Sequence, residues 1–204
     1  MTRLGAVVLV TITYAAALWL RGSYGVWVTT GVAGTVAILA VVAVDGPRLR
    51  AALRPSWRIV AWGVGLGVAM AAATHAAHAL AVAWWPELRP QVAALYAELA
   101  ESPGPVAALP VLATVIVGEE LTWRGTLVHA LFDRGWSRGA VLVAASLAYP
   151  LPHLLGGGPW LLPVVAFGCG LLWTAERLFL ASLLACTLTH VVWDVIVFVL
   201  LPLA

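Results

Sequence analysis

Lysine is absent from the chain, and charge of either sign is scarce. Of 204 residues, 10% are Asp, Glu, Lys or Arg, and the eleven basic ones are all arginine. A soluble domain carries about 25% charged residues, so a water-facing surface over most of the chain is excluded. Cysteine is nearly missing as well. Cys169 and Cys186 both fall in apolar runs, where thiols behave as small hydrophobes, and no metal-type cysteine spacing exists. There is no basic stripe interleaved with surface aromatics, so nucleic acid is not an expected partner. His-Glu-x-x-His, the helix motif of zinc proteases, does not occur, nor does the Gly-x-Ser-x-Gly nucleophile turn. Asp194 is the only aspartate well inside an apolar run, which leaves no pair for aspartyl chemistry. No internal repeat is visible.

What the chain has is apolar length. Its hydrophobic content is 63% and its mean hydropathy is +1.00. About 20 apolar residues cross a hydrocarbon core, and the runs 4–20, 24–44, 59–85, 106–132, 139–149, 160–175 and 178–201 read as spans. The expected fold is all-α, a polytopic transmembrane helical bundle of about seven spanning helices in one integral-membrane domain, 1–204. Ala15-Ala16-Ala17 could pass for a signal-peptide cleavage site, but the apolar run continues to Leu20, so a retained span is expected. Eleven tryptophans suit membrane interfaces. The segment 86–105 breaks the pattern with Pro86, Pro90, Pro103 and Pro105. Within it 91–101 has helical apolar spacing and reads as a short interfacial helix, a linker or a lid. Gly63, Gly65 and Gly67 offer close helix packing, and His75 and His78, three apart, are expected to bond neighbouring helices.

Arginine distribution sets an expected orientation. Arg3, Arg48, Arg50, Arg54, Arg58, Arg134, Arg138 and Arg177 fall on one side, counted as terminus or loop residues, against Arg21 and Arg89 on the other. The positive-inside rule then puts the N-terminus in the cytoplasm of a multi-pass inner (plasma) membrane protein.

The chemistry concentrates in Gly118-Glu119-Glu120-Leu121-Thr122-Trp123-Arg124-Gly125. A charged side chain at the centre of a spanning helix costs roughly 2.5–3.5 kcal/mol. Glu120 and Arg124 are four apart and share a helical face, so they can pair. Glu119 points about 100° away and has no such local partner. His190 and Asp194 are also four apart. His153 follows Pro150 and Pro152, where the helix should break because proline lacks the N–H donor and clashes with the preceding turn. A carboxylate base with histidines beside it is a water-activating set.

In this order the motifs resemble those of the CAAX protease and bacteriocin-processing (CPBP, or Abi) family. Glu119 to Arg124 is similar to its Glu-Glu-x-x-x-Arg motif, Tyr149 to His153 to its aromatic-x-x-x-His motif, and His190 to Asp194 to its His-x-x-x-Asn/Asp motif. The resemblance covers 106–204. It implies an intramembrane endopeptidase related to type II CAAX prenyl endopeptidases, with a membrane-embedded or lipidated peptide or protein as substrate. Glu119 would activate water with help from His153, His190 and Asp194 would occupy oxyanion-hole positions, and Glu120 and Arg124 would hold the site in shape. Glutamate, two histidines and aspartate could also ligate zinc. A reaction without metal or other cofactor is the preferred reading, since no tight His-x-x-x-His pair exists.

Two departures from the pattern matter. Pro150 and Pro152 interrupt the second motif, so Tyr149 and His153 need not share a face. Aspartate at 194 replaces the commoner asparagine. It either stays protonated and donates, or stays ionised and pairs with His190, and the second costs less. The alternatives to a protease are a non-catalytic scaffold or immunity protein that keeps the pocket, and a small transporter that uses Glu119 as a proton site.

Overall fold

The computed structural model describes residues 1–203, and every regular element among them is helical. Five helices are long and apolar enough to cross a membrane: α1 (Arg3–Tyr24), α2 (Val26–Ala52), α3 (Trp57–Trp84), α9 (Leu161–Leu180), and α10 (Leu183–Asp194) continued by a π-wound turn (Val195–Leu200). The other two expected spans are interrupted helices. α5 (Leu109–Glu120) runs through a second π-wound segment (Leu121–Leu127) into α6 (Val128–Phe132). α7 (Arg138–Ala148) has 11 residues, about half of what a crossing needs, and is followed by the single turn α8 (Leu151–Leu155). The short interfacial helix expected in the 86–105 break is α4 (Leu88–Leu99).

Caps explain several boundaries. The side chains of Thr2, Ser56, Ser137 and Ser182 each accept an N–H three residues on, starting α1, α3, α7 and α10. Ser182 also corrects the expected loop at 176–177. No stop residue precedes it, so α9 continues past Glu176 and Arg177 and turns only at Ala181, with φ 53°. Arg177 is therefore a buried helix residue and leaves the count of loop arginines. Residues 45–50, read as loop, are likewise the last turns of α2, which carries Pro47 within it.

Ion pairs mark the two ends of the bundle. At one, Arg3 Nε lies 2.6 Å from Asp45 Oδ1, and His129 Nδ1 lies 2.6 Å from Asp45 Oδ2. Arg3 and Arg48 both reach Asp133, at 2.7 and 2.8 Å, and the Arg48 guanidinium holds the Asp133 carboxyl below its usual range. At the other end Arg21 pairs with Glu98 of α4 at 2.9 Å, and Tyr96 donates to Val197 O at 2.7 Å.

Backbones meet where side chains are absent. A Cβ on Gly118 would lie 2.8 Å from Gly34 O and 3.0 Å from the Tyr14 hydroxyl, so α1, α2 and α5 converge one residue before Glu119. Gly67 packs as closely on α10, where its Cβ would lie 2.9 Å from Thr189 O. Small residues of this kind permit tight helix crossing in a bilayer. Gly65 faces open space. His75 and His78 do not bond neighbouring helices as expected: each Nε2 has no hydrogen-bond partner among the described residues.

Candidate active site

Glu119 and Glu120 leave the end of α5 on different faces, as a 3.6-residue repeat requires. Glu120 is fully buried, and its Oε1 lies 3.1 Å from Arg124 Nη1 and 2.9 Å from His190 Nδ1. One carboxylate thus ties α5, the π-wound segment and α10 together. Arg124, also fully buried, receives further compensation from aromatic faces. Its Cζ sits 4.1 Å from the Tyr149 ring centroid and 5.1 Å from that of Trp173, within the range of cation–π attraction. The carbonyl of Arg124 accepts from Arg177 Nε at 3.1 Å, and Arg177 Nη2 lies 3.3 Å from His129 Nε2. The π winding begins directly after Glu120 in one helix and directly after Asp194 in the other. Such winding recurs at functional positions because it re-aims side chains and leaves backbone groups for other partners.

Glu119 does have a partner, from outside its own helix. The Tyr149 hydroxyl donates to Glu119 Oε2 at 2.7 Å. Tyr149 packs edge-on against Trp123, Trp173 and His153, with ring centroids 6.3, 6.0 and 6.4 Å away. The prolines therefore do not separate Tyr149 from His153. Tyr149 and Pro150 both keep right-handed helical dihedrals, so the chain loses hydrogen bonds at the break yet keeps its course. His153 Nδ1 is buried without a hydrogen-bond partner.

His190 stacks on Trp173 at 3.7 Å between centroids. Its Nε2 lies 3.6 Å from Asp194 Oδ1, close enough for charge attraction but too long for a hydrogen bond. The histidine's hydrogen-bonded acid is Glu120, with Asp194 a second, looser neighbour.

A cavity of about 140 Å³ collects these groups. Glu119, Tyr149, His153, Trp173, His190 and Asp194 all border it, and Val115, Ala166 and Phe198 supply apolar wall. It is ample for several waters, each needing about 30 Å³. Among the described residues no three His, Cys, Asp or Glu side chains come together as a metal-ligand set.

Glu176 is a buried carboxylate that the span boundary at 175 hides in the sequence. Its Oε1 accepts from the Thr189 hydroxyl at 2.9 Å, and its Oε2 is unpartnered. The signal available was negative: no Gly, Pro or capping residue stands between Ala175 and Ser182 to end the helix.

Residues 101–196 match the family described as type II CAAX prenyl endopeptidase Rce1-like. The matched stretch contains all three motifs, supports the CPBP resemblance drawn from them, and with the apolar helices supports a CAAX-type intramembrane protease in general. No curated protein and no solved structure matches the chain.

Proposed function

Taking the type II CAAX prenyl endopeptidase kinship of residues 101–196 as premise, we propose that this chain is an intramembrane endopeptidase that cleaves a membrane-embedded or lipidated peptide with water activated by Glu119. The observation that carries the reading is the Tyr149–Glu119 hydrogen bond at the wall of the 140 Å³ cavity. It fixes one oxygen of the carboxylate and leaves the other to take a proton from water. An intramembrane carboxylate placed at such cost is a functional group by default.

The steps follow from the side chains. Water in the cavity gives a proton to Glu119 as its oxygen bonds to the scissile carbonyl carbon. The carbonyl oxygen becomes an oxyanion, which needs donors aimed at it. His190 supplies one from Nε2 when both ring nitrogens are protonated, with Glu120 accepting at Nδ1 and Asp194 beside Nε2. The C–N bond then breaks, and the proton held by Glu119 passes to the leaving amine, with the unpartnered His153 Nδ1 as relay. Acid and amine together account for the water consumed. Glu120 and Arg124 act by holding His190 and the helix turn in place.

The same reading takes the end carrying Arg3, Arg48 and Arg134 as cytoplasmic in an inner-membrane protein. The test is purified protein in detergent, offered a diverse peptide library beside its Glu119→Ala variant. Cleavage by the parent and none by the variant is expected. A parent that cleaves nothing across the library would favour the scaffold reading.

A further inference from the structure

Three cavities lie in series between the α4 end of the bundle and Glu119. The outermost, about 380 Å³, is bordered by Trp19, Glu101 and glycines 156, 157 and 158. The middle one, about 170 Å³, runs between α1, α4 and α5. The innermost is the 140 Å³ cavity of the candidate active site. Glu119 and His153 border the inner and middle cavities, whereas Arg21 and Glu98 border the middle and outer ones. The Arg21–Glu98 pair thus stands across the route. Arg21 is seven residues, about 10 Å of helix, beyond Tyr14, whose hydroxyl bonds Val115 O one turn before Glu119.

Arg21 is gripped from behind and open in front. Its Nη1 donates to Leu18 O, and to Gly156 O and Gly157 O at 3.5 and 3.3 Å. Nε alone meets a carboxylate, Glu98 Oε2 at 2.9 Å, and Nη2 makes no hydrogen bond among the described residues. Gly158, at φ +121°, keeps that side clear: a Cβ there would sit 2.7 Å from Nη2. With Nη1 taken by carbonyls, the Nε–Nη2 edge is left to grip a carboxylate with two parallel bonds, and Glu98 uses half of it. Glu98 in turn belongs to α4, a short helix with a small buried face. Only Val92 of that helix is buried. Its other hydrogen bonds to the bundle are Trp27 Nε1 to Leu99 O at 3.1 Å, the Tyr96 hydroxyl to Val197 O, and Leu203 N to the Tyr96 hydroxyl at 3.0 Å.

Peptide hydrolysis makes a new carboxylate in the cavity that Glu119 and Asp194 border, where like charges repel it. Arg21 is the one arginine bordering the middle cavity. We propose that Arg21 is a carboxylate-binding residue for the peptide, occupied at rest by Glu98, and that a peptide carboxylate takes Glu98's place and frees α4 to lift. The inference rests on the protease reading for its physiological ligand. The binding site itself can be tested without catalysis.

The test uses the full chain in detergent carrying Glu119→Gln, with the apolar tetrapeptide Ala-Leu-Val-Leu as free acid and as amide. Binding is measured by calorimetry. The acid is expected to bind at least ten times more tightly than the amide. Arg21→Gln should remove that preference, and Glu98→Gln should tighten the acid several-fold while leaving the amide unchanged. Equal binding of acid and amide, or an acid preference that survives Arg21→Gln, overturns the proposal. If Arg21→Gln does not fold, Glu98→Gln decides: no gain in acid affinity means that nothing displaces Glu98. With the turnover-deficient Glu119→Gln chain as the sample, failure here is distinct from failure of the protease reading. On the active chain, lower kcat/KM after amidating the substrate's own end identifies that end as the ligand. Inhibition by the acid-ended fragment, with kcat/KM indifferent to amidation, identifies the newly formed carboxylate.

Discussion

Tyr149 donates its hydroxyl proton to Glu119 across 30 residues of sequence and a proline break, at 2.7 Å. The ring is wedged among Trp123, Trp173 and His153, so the hydroxyl is placed by packing that does not depend on Glu119. Removing only the oxygen separates the two roles. Tyr149→Phe should keep its melting temperature and lose roughly ten- to a hundredfold in kcat/KM, the worth of about 1.5–3 kcal/mol for a hydrogen bond to a charged group. Full activity in Tyr149→Phe would sink the orienting role.

The two adjacent glutamates should fail differently. Glu119→Gln is expected to abolish turnover with thermal stability nearly intact. Glu120→Ala strips Arg124 and His190 of their shared acid and should destabilise the chain by roughly 3–5 kcal/mol, as a broken buried pair does. Melting curves of the two purified variants compare them directly, and equal stability losses would contradict this division.

Asp194 sits 3.6 Å from His190 Nε2, and its Oδ1 makes no hydrogen bond. Its proposed part is to hold charge on the histidine and not to touch the oxyanion. Asp194→Asn removes the carboxylate charge but puts an NH₂ donor where an oxyanion can use it, so it should retain activity, and Asp194→Ala, which supplies neither, should lose more, when both are assayed across roughly pH 5–9, where histidine titrates. An asparagine variant as inactive as the alanine one would mean that the carboxylate itself does chemistry.

Glycine positions provide a test of packing independent of catalysis. Gly118→Ala drives a methyl against backbone, Gly34 O at 2.8 Å, and should cost roughly 1–3 kcal/mol as overpacking does. Gly65→Ala meets nothing within 4 Å and should be neutral or stabilising by about 0.5–1 kcal/mol. Thermal denaturation in one detergent ranks them; the reverse order would refute the α1–α2–α5 convergence.

Orientation is open to reporter fusions. Asp45 is buried within α2, so the informative sites are after Arg54 and after Arg134, where cytoplasmic signals are expected, and at Ser102, where the opposite is expected. A cytoplasmic signal at Ser102 would overturn the proposed orientation.

Local contacts were legible in the sequence and distant ones were not. Glu120 and Arg124 meet because four residues make one helical turn, a relation any sequence displays. His190 and Asp194 share a face for the same reason, yet the closer acid to His190 is Glu120, 70 residues away. No local spacing encodes that contact. The break at Pro150 and Pro152 left open whether Tyr149 and His153 share a face. Proline forbids a hydrogen bond but tolerates helical dihedrals, and the surrounding aromatics hold Tyr149 and His153 together. Glu176 and Arg177 looked like loop residues because they are charged. Their buried partners, Thr189 for one and the Arg124 carbonyl for the other, lie in helices that charge counting cannot see.

The π-wound segment at 121–127 also bears on how the gene can vary. A π turn is an α-helix holding a surplus residue, so deleting one codon within it relaxes the helix to ordinary winding without cutting it. Everything downstream in that helix, His129 included, would stay near its present place relative to the two glutamates, because the surplus residue is what the wider turn absorbs. His129 would keep Asp45. The same deletion in a plainly wound helix such as α2 or α9 would rotate everything beyond it by about 100° and slide it by about 1.5 Å. In-frame deletions that spare Arg124 should therefore be better tolerated between 121 and 127 than in either of those helices.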